Sequence, residues 1–297
     1  MNSWVKMRTT SNAGRFVIDE LRLCYIAEPS LLEDLSQIQL GRSKDNGDYS
    51  LVRIGGERYE YIFVVFHLHE ESKGEMGFLK FGRYGENASR YVYYKISNPC
   101  LYDRELLRAA LDLPELLGLH FNNFTAIDIA FDHNKNFSSI IKRMLRNDRV
   151  TTILNGKAVK DRKGIIKGLS FDYSSSLSRL HCPTVTIRQA KAVRNKEKGI
   201  TVQSYDKRAE IETHSEKQYI LNFHGNPRHL FRLEVRLRYQ ELKDYYRKIG
   251  RAQAVEDLFD PAILQDLFFY HLSSVLRFTK GRKPLTWQDI ISSNGRI

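Results

Sequence analysis

Hydrophobic residues in this chain recur mostly at every second position, the spacing of strands that turn one face to a core. The alternation predicts strands over residues 16–26, 49–54, 58–69, 77–82 and 90–97, with Gly55-Gly56 as a turn. Two stretches switch to helical spacing. One is LLEDLSQI behind a capping Ser30, and the other is DRELLRAALDLPELLG over 103–118, where Asp103 stands at the cap.

After that helix the order partly repeats. A strand at 125–132 precedes a Ser-capped helix, SSIIKRMLRN, and further strands follow near 150–155, 168–173, 183–188, 200–205 and 230–238. Helices near 240–250 and 254–278 close the chain. Strands outnumber helices until the last third, which predicts an α+β fold: a mostly antiparallel β-sheet with flanking helices and a helical C-terminal region. The expected division is an N-terminal α+β half over 1–120, a second α+β half over 121–240 that carries the candidate chemistry, and a helical region over 241–297. No sequence repeat with a period of 20–50 residues suggests a solenoid.

Composition sharpens this picture. The 297 residues are 42% hydrophobic and 11% aromatic, enough for a substantial core and too much for a disordered chain. Lys and Arg number 47 against 35 Asp and Glu, a formal charge of +12. Such an excess suits a polyanionic partner, although it also serves solubility alone. The opening MNSWVKMRTTSNAGRF lacks the apolar core of a signal peptide, and the longest apolar run, 61–66, is far short of the roughly 20 residues that span a bilayer. A cytoplasmic protein without a membrane partner is therefore expected. Cys24, Cys100 and Cys182 show no CxxC spacing, so neither a zinc ribbon nor a disulfide framework is indicated.

Three segments carry candidate chemistry. In TAIDIAFDHN, strand alternation places Asp128 and Asp132 on one face and Ile127, Ile129 and Phe131 on the other. The two acids then lie about 13 Å apart at ~3.3 Å per residue. One direct metal ligand and one outlying acid are expected, against the alternative of two solvated acids on a half-exposed strand. In LFRLEVRLRY, Leu233, Val235 and Leu237 face the core while Arg232, Glu234 and Arg236 face away. Glu234 is either a surface ion-pair partner or, if its strand neighbours Asp128, half of the oxygen-rich site that Mg²⁺ or Mn²⁺ prefers, with the arginines gripping phosphate. In GITVQSYDKRAEIE, Tyr205 ends a strand ahead of Lys207 and Arg208. A tyrosine nucleophile needs nearby cations to stabilise its phenolate, yet Tyr205 is one of 16 tyrosines. The stretch 188–199 is rich in Lys and Arg without an apolar period, and Lys191, Arg194 and Lys196 are candidates for DNA contact or for a plain solvated loop.

In this order, the acidic strand TAIDIAFD, the tyrosine in SYDKRAE, RLEVRLR and the aromatic-basic YQELKDYYRK resemble the rolling-circle replication initiators of staphylococcal-type plasmids, the Rep_trans family, and more distantly those of filamentous phages. The resemblance covers residues 125–246. It implies a metal-dependent nicking and closing endonuclease with Tyr205 as nucleophile and Asp128, Asp132 and Glu234 around a Mg²⁺ or Mn²⁺ ion. Lys207 and Arg208 are candidates for stabilising the phenolate, and Arg232 and Arg236 for holding DNA. The expected partners are origin DNA and its nicked strand, with a host helicase and a second copy of the chain as further candidates. Ala126 departs from the family, which usually carries a basic residue there. The alternatives are a relaxase or transposase with the same tyrosine chemistry, and a basic DNA-binding protein without catalysis. A rival metal motif, His67-Leu68-His69, places two histidines on one strand face, where they are either ligands or plain surface residues.

Overall fold

The computed structural model describes residues 14–55, 59–69, 73–83, 90–159, 169–172, 184–189 and 199–296. They fall into two compact units, one over Ile18–Ile127 and the other over Asp128–Ile297 with the chain up to Val17. Residues 241–297 thus belong to the same unit as 128–240. Two strands, β1 (Arg15–Ile26) and β7 (His120–His133), run through the division. The architecture is α+β with antiparallel pairing throughout the registered strands.

In the 18–127 unit the strand order is β1-β6-β5-β4-β3-β2, with β2 at Ser43–Asn46, β3 at Tyr49–Ile54, β4 at Tyr59–His67, β5 at Gly74–Arg83 and β6 at Tyr91–Ile96. Alternation explains the core, since Leu21, Leu23, Leu51, Phe63, Val65, Leu79, Tyr94 and Ile96 are all buried. The register shifts between Val65 and Phe66 opposite Gly77. Gly77 has φ +148°, and a Cβ there would meet the Lys95 carbonyl oxygen at 2.1 Å, so only glycine fits this irregularity. Helix α1 (Pro29–Ser36) starts from Pro29 behind Glu28, not from a Ser30 cap. Helix α2 (Arg104–Leu116) begins as the sequence indicates, with the Asp103 carboxylate accepting from Leu106 N at 2.9 Å.

In the second unit the strand order is β10-β11-β12-β13-β7, with β10 at Leu169–Asp172, β11 at Thr184–Arg188, β12 at Thr201–Asp206 and β13 at Phe231–Arg238. One face of this sheet is apolar. Val185, Ile187, Val202, Leu233, Val235 and Leu237 are buried there, and α3 (Phe137–Arg146) and α7 (Pro261–Val275) pack on it. Phe131 stacks against Phe16 and touches Phe137 of α3 and Phe268 of α7. Asn136 caps α3, so Ser138 is released to another task. Its hydroxyl donates to the Ser204 carbonyl at 2.9 Å and fixes β12 one residue before Tyr205.

The C-terminal region is helical, with α6 (Tyr239–Lys248), α7 and α8 (Trp287–Ser292), and also contains a hairpin of β14 (Leu276–Lys280) and β15 (Lys283–Leu285). With β8 (Thr151–Leu154) and β9 (Lys157–Ala158) the hairpin forms a second sheet, ordered β15-β14-β8-β9. The expected helix over 254–278 is therefore shorter. Asp260 caps a new start at Pro261, and from Leu276 the residues Leu276 and Phe278 alternate inward, closing on the turn at Gly281 with φ +60°. No helix among the described residues is long and apolar enough to cross a membrane.

His271, on α7, is 4% exposed, and burial lowers its pKa to about 4, assisted by Lys248 and opposed by Asp244 and Asp266. The unfolded chain therefore takes up this proton at higher pH than the folded one, and stability falls as pH drops from about 6.5 towards 4. Between pH 7 and 5, urea unfolding should show a loss on the order of 2 kcal/mol from this group. A His271→Gln chain should lose correspondingly less over the same interval, and an unchanged slope would contradict the assignment.

Candidate active site

Alternation along β13 places Arg232, Glu234, Arg236 and Arg238 on the face opposite Leu233, Val235 and Leu237. The register sets Tyr205 of β12 across from Arg232 and Gln203 across from Glu234, so Tyr205 is diagonal to Glu234. At that diagonal the Tyr205 hydroxyl donates to Glu234 Oε2 at 3.0 Å. Arg236 Nε donates to Glu234 Oε1 at 2.5 Å and lies 3.5 Å from Asp128 Oδ2. Arg238 Nη1 donates to Asp128 Oδ1 at 2.9 Å. One guanidinium thus joins both acids, and one of those acids holds the tyrosine.

The acids on β7 and β13 are not solvated. Asp128 is 5% exposed and Glu234 1%, so both need partner cations. Burial works against the charge on Arg236, but Glu234 and then Asp128 outweigh it and raise its pKa above the usual arginine value. Tyr205 is half-buried, and the Arg236 side chain keeps 38% of its surface exposed, so both can be approached from solvent.

Directly after Tyr205, Asp206 accepts from Ala209 N at 3.0 Å and starts α4 (Lys207–His214). This turn buries Lys207, whose Nζ lies 5.7 Å from the Tyr205 ring centre and 2.9 Å from Glu210. Arg208 points elsewhere, to Asn226 Oδ1 at 2.9 Å, the Pro227 carbonyl at 2.7 Å and Glu212 at 2.8 Å. It ties down the loop after α5 (Gln218–Phe223), so the expectation that it steadies the phenolate does not fit its position.

Asp132 takes the place of the outlying acid, not of an ion ligand, and Arg232 differs from its expected part in holding DNA. Arg232 is fully buried and grips Asp132 through Nε and Nη2, both at 2.7 Å, while His224 Nε2 sits 3.0 Å from Asp132 Oδ2. Both carboxylate oxygens are thereby engaged, which makes Asp132 part of the framework and leaves Arg232 without the solvent access that the expected DNA contact needs. Asp128 and Glu234 remain as two hard oxygen donors about one cation position, the donor chemistry that a divalent ion completed by water and phosphate uses. Among the described residues no group of three or more His, Cys, Asp or Glu is arranged to hold a metal. His67 and His69 stack with ring centres 6.0 Å apart and belong to the 18–127 unit. Lys191, Arg194 and Lys196 lie outside the described residues.

Two participants escaped the sequence reading. Arg238 continues the period-two face of β13 and was findable by extending it one step. His224 sits in a loop, HGNPR, with no local pattern that points to Asp132.

No protein-family model matches the chain, and no curated protein does. Among solved structures, the chain is similar to a rolling circle replication initiator protein from Geobacillus stearothermophilus, at 11% identity and a TM-score of 0.48, covering 95% of this chain and 98% of that one.

Burial alone would raise the pKa of Asp132, but Arg232 and then His224 reverse this and lower it. A carboxyl with a lowered folded pKa stabilises the fold above the ordinary range near ~4 and loses that contribution as pH falls from there through the lowered folded value. Arg232→Met leaves a buried carboxylate without its main cation and should cost about 3–5 kcal/mol in urea unfolding at neutral pH. Adding Asp132→Leu should recover most of that loss. A single-variant cost below about 1 kcal/mol, the range of an exposed pair, would contradict the framework role.

Proposed function

We propose that this protein is a replication initiator that cuts one strand of origin DNA through Tyr205 and stays covalently joined to it. The hydrogen bond from the Tyr205 hydroxyl to Glu234, itself linked to Asp128 through Arg236, carries the proposal. It gives a phenol an acceptor for its proton within hydrogen-bond reach, the geometric requirement for general-base assistance. The resemblance of residues 125–246 to the plasmid initiators supports the same reading.

In this scheme a single strand enters over the half-buried polar face. Tyr205 Oη attacks the scissile phosphorus in line, its proton passes to Glu234 Oε2, and the bond from phosphorus to the 3′ oxygen breaks, that oxygen taking up a proton from water. The products are a 5′-phosphotyrosine and a free 3′-OH, which primes synthesis. The phosphotyrosyl ester preserves the free energy of the broken phosphodiester, so attack by a 3′-OH reverses the reaction and rejoins a strand. Buried Lys207, over the ring, favours the phenolate as the proton leaves.

Arg236, which keeps solvent-facing surface, would offset charge on the phosphate once it leaves the acids. Asp128 and Glu234 would hold a Mg²⁺ or Mn²⁺ ion, which supplies further charge neutralisation at the scissile phosphate when bound. The two oxygens of Glu234 face different partners, Oε2 the phenol and Oε1 the cation position. Holding the tyrosine and holding a cation are therefore compatible in one side chain.

The test uses supercoiled DNA that contains the sequence flanking this reading frame. The unaltered chain should convert it to the open circle in the presence of Mg²⁺ or Mn²⁺. Tyr205→Phe should reduce conversion by roughly 10³-fold or more, as removal of a nucleophile does, while leaving DNA binding intact. Normal nicking by the Phe chain would remove Tyr205 from the reaction, and binding without nicking by any form would favour a non-catalytic DNA-binding protein.

A further inference from the structure

The four polar side chains of β13 alternate on one face but differ in what holds them. Arg232 is locked at full burial on Asp132, and Arg238 is 15% exposed on Asp128. Arg236 is 38% exposed and bridges the two acids that would receive a divalent ion. Among the described residues, Asp128 and Glu234 face Arg236 and Arg238 here, two carboxylates against two guanidiniums. A doubly charged ion added beside an unmoved Arg236 would meet like charge at contact distance, and Arg236 already occupies Glu234 Oε1. Of the three arginines, Arg236 has the solvent-facing surface through which a phosphate could draw its guanidinium outward.

We infer that Arg236 is a built-in cation that competes with the divalent ion for the Asp128–Glu234 pair and moves to the phosphate when single-stranded DNA arrives, so that ion and DNA bind cooperatively. The inference rests on the reading of the Asp128–Glu234 pair given under Proposed function. Without DNA the guanidinium satisfies the buried acids, which keeps them from standing uncompensated. With DNA, phosphate replaces carboxylate as the partner of Arg236, and the ion replaces Arg236 as the partner of the acids. By linkage, each ligand must strengthen the other's binding by the same factor.

The experiment titrates Mn²⁺ into the full chain carrying Tyr205→Phe, which cannot cut, and reads free Mn²⁺ by electron paramagnetic resonance. Titrations are run with and without a short single-stranded oligonucleotide from the flanking DNA. The oligonucleotide should tighten Mn²⁺ binding at least about fivefold, the lower end of typical coupling. Adding Arg236→Gln should tighten Mn²⁺ binding by a similar factor without the oligonucleotide and remove most of its further effect. Arg236→Lys retains the charge without the planar fork and should fall between the two, giving a second measure if the Gln chain does not fold.

If Arg236→Gln and Arg236→Lys bind Mn²⁺ no more tightly than their parent, while Asp128→Asn abolishes binding, the competition is overturned and the acid-pair metal site stands. If Mn²⁺ binds none of these chains with or without the oligonucleotide, both the competition and the metal part of the proposed function are overturned. The tyrosine chemistry is judged separately by the nicking assay.

Discussion

Burying a carboxylate is costly unless a cation meets it, and the second unit of this protein buries three of them on two neighbouring strands, β7 and β13. Each is met by arginine from a single strand, β13: Asp132 by Arg232, Glu234 by Arg236, and Asp128 by Arg238 and Arg236. The period of two along the strand supplies these arginines on one face, and the leucines and valine between them supply the apolar face. The same alternation that anchors the sheet to α3 and α7 therefore assembles the charged row. Moving β13 by one residue would place Leu233, Val235 and Leu237 among the acids and the arginines in the apolar core.

Division of labour follows from burial. Arg232 and Asp132, with no solvent access, are framework; Arg238 is nearly so; Arg236 and Tyr205 retain exposure and form the part that can meet a substrate. Tyr205 gains its place from both sides of its strand. Ser204, on the apolar side, is tied to Ser138 of α3, and Tyr205 itself, on the polar side, is tied to Glu234. The turn into α4 at Asp206 then brings Lys207 over the ring.

Much of this is legible in the sequence because its signals are local. Strand β3 spans the residues that alternation marks, Tyr49–Ile54, and the Asp103 cap forms where a carboxylate precedes a helical apolar period. The faces of Asp128, Glu234 and Tyr205 likewise follow from a period of two. The misreadings arise where two local signals compete. The run from 254 to 278 is apolar enough for one helix, but Pro261 restarts it and the alternation of Leu276 and Phe278 ends it. What no local pattern can convey is pairing across long separations. Asp132 and Arg232 stand 100 positions apart, and only the fold shows that the arginine is buried against the acid and not exposed to solvent. Nor can alternation tell that both faces of a strand are covered, which turns apparently solvated acids into buried ones.

The most direct measurement is the identity of the residue that carries DNA after cleavage. The protein is incubated with a single-stranded oligonucleotide spanning the cut site, digested with a protease, and the nucleotide-bearing peptide is sequenced by mass spectrometry. One adduct is expected, a phosphodiester on Tyr205 attached to the 5′ end of the downstream fragment. An adduct on another tyrosine, or cleavage without any covalent peptide, would contradict that expectation.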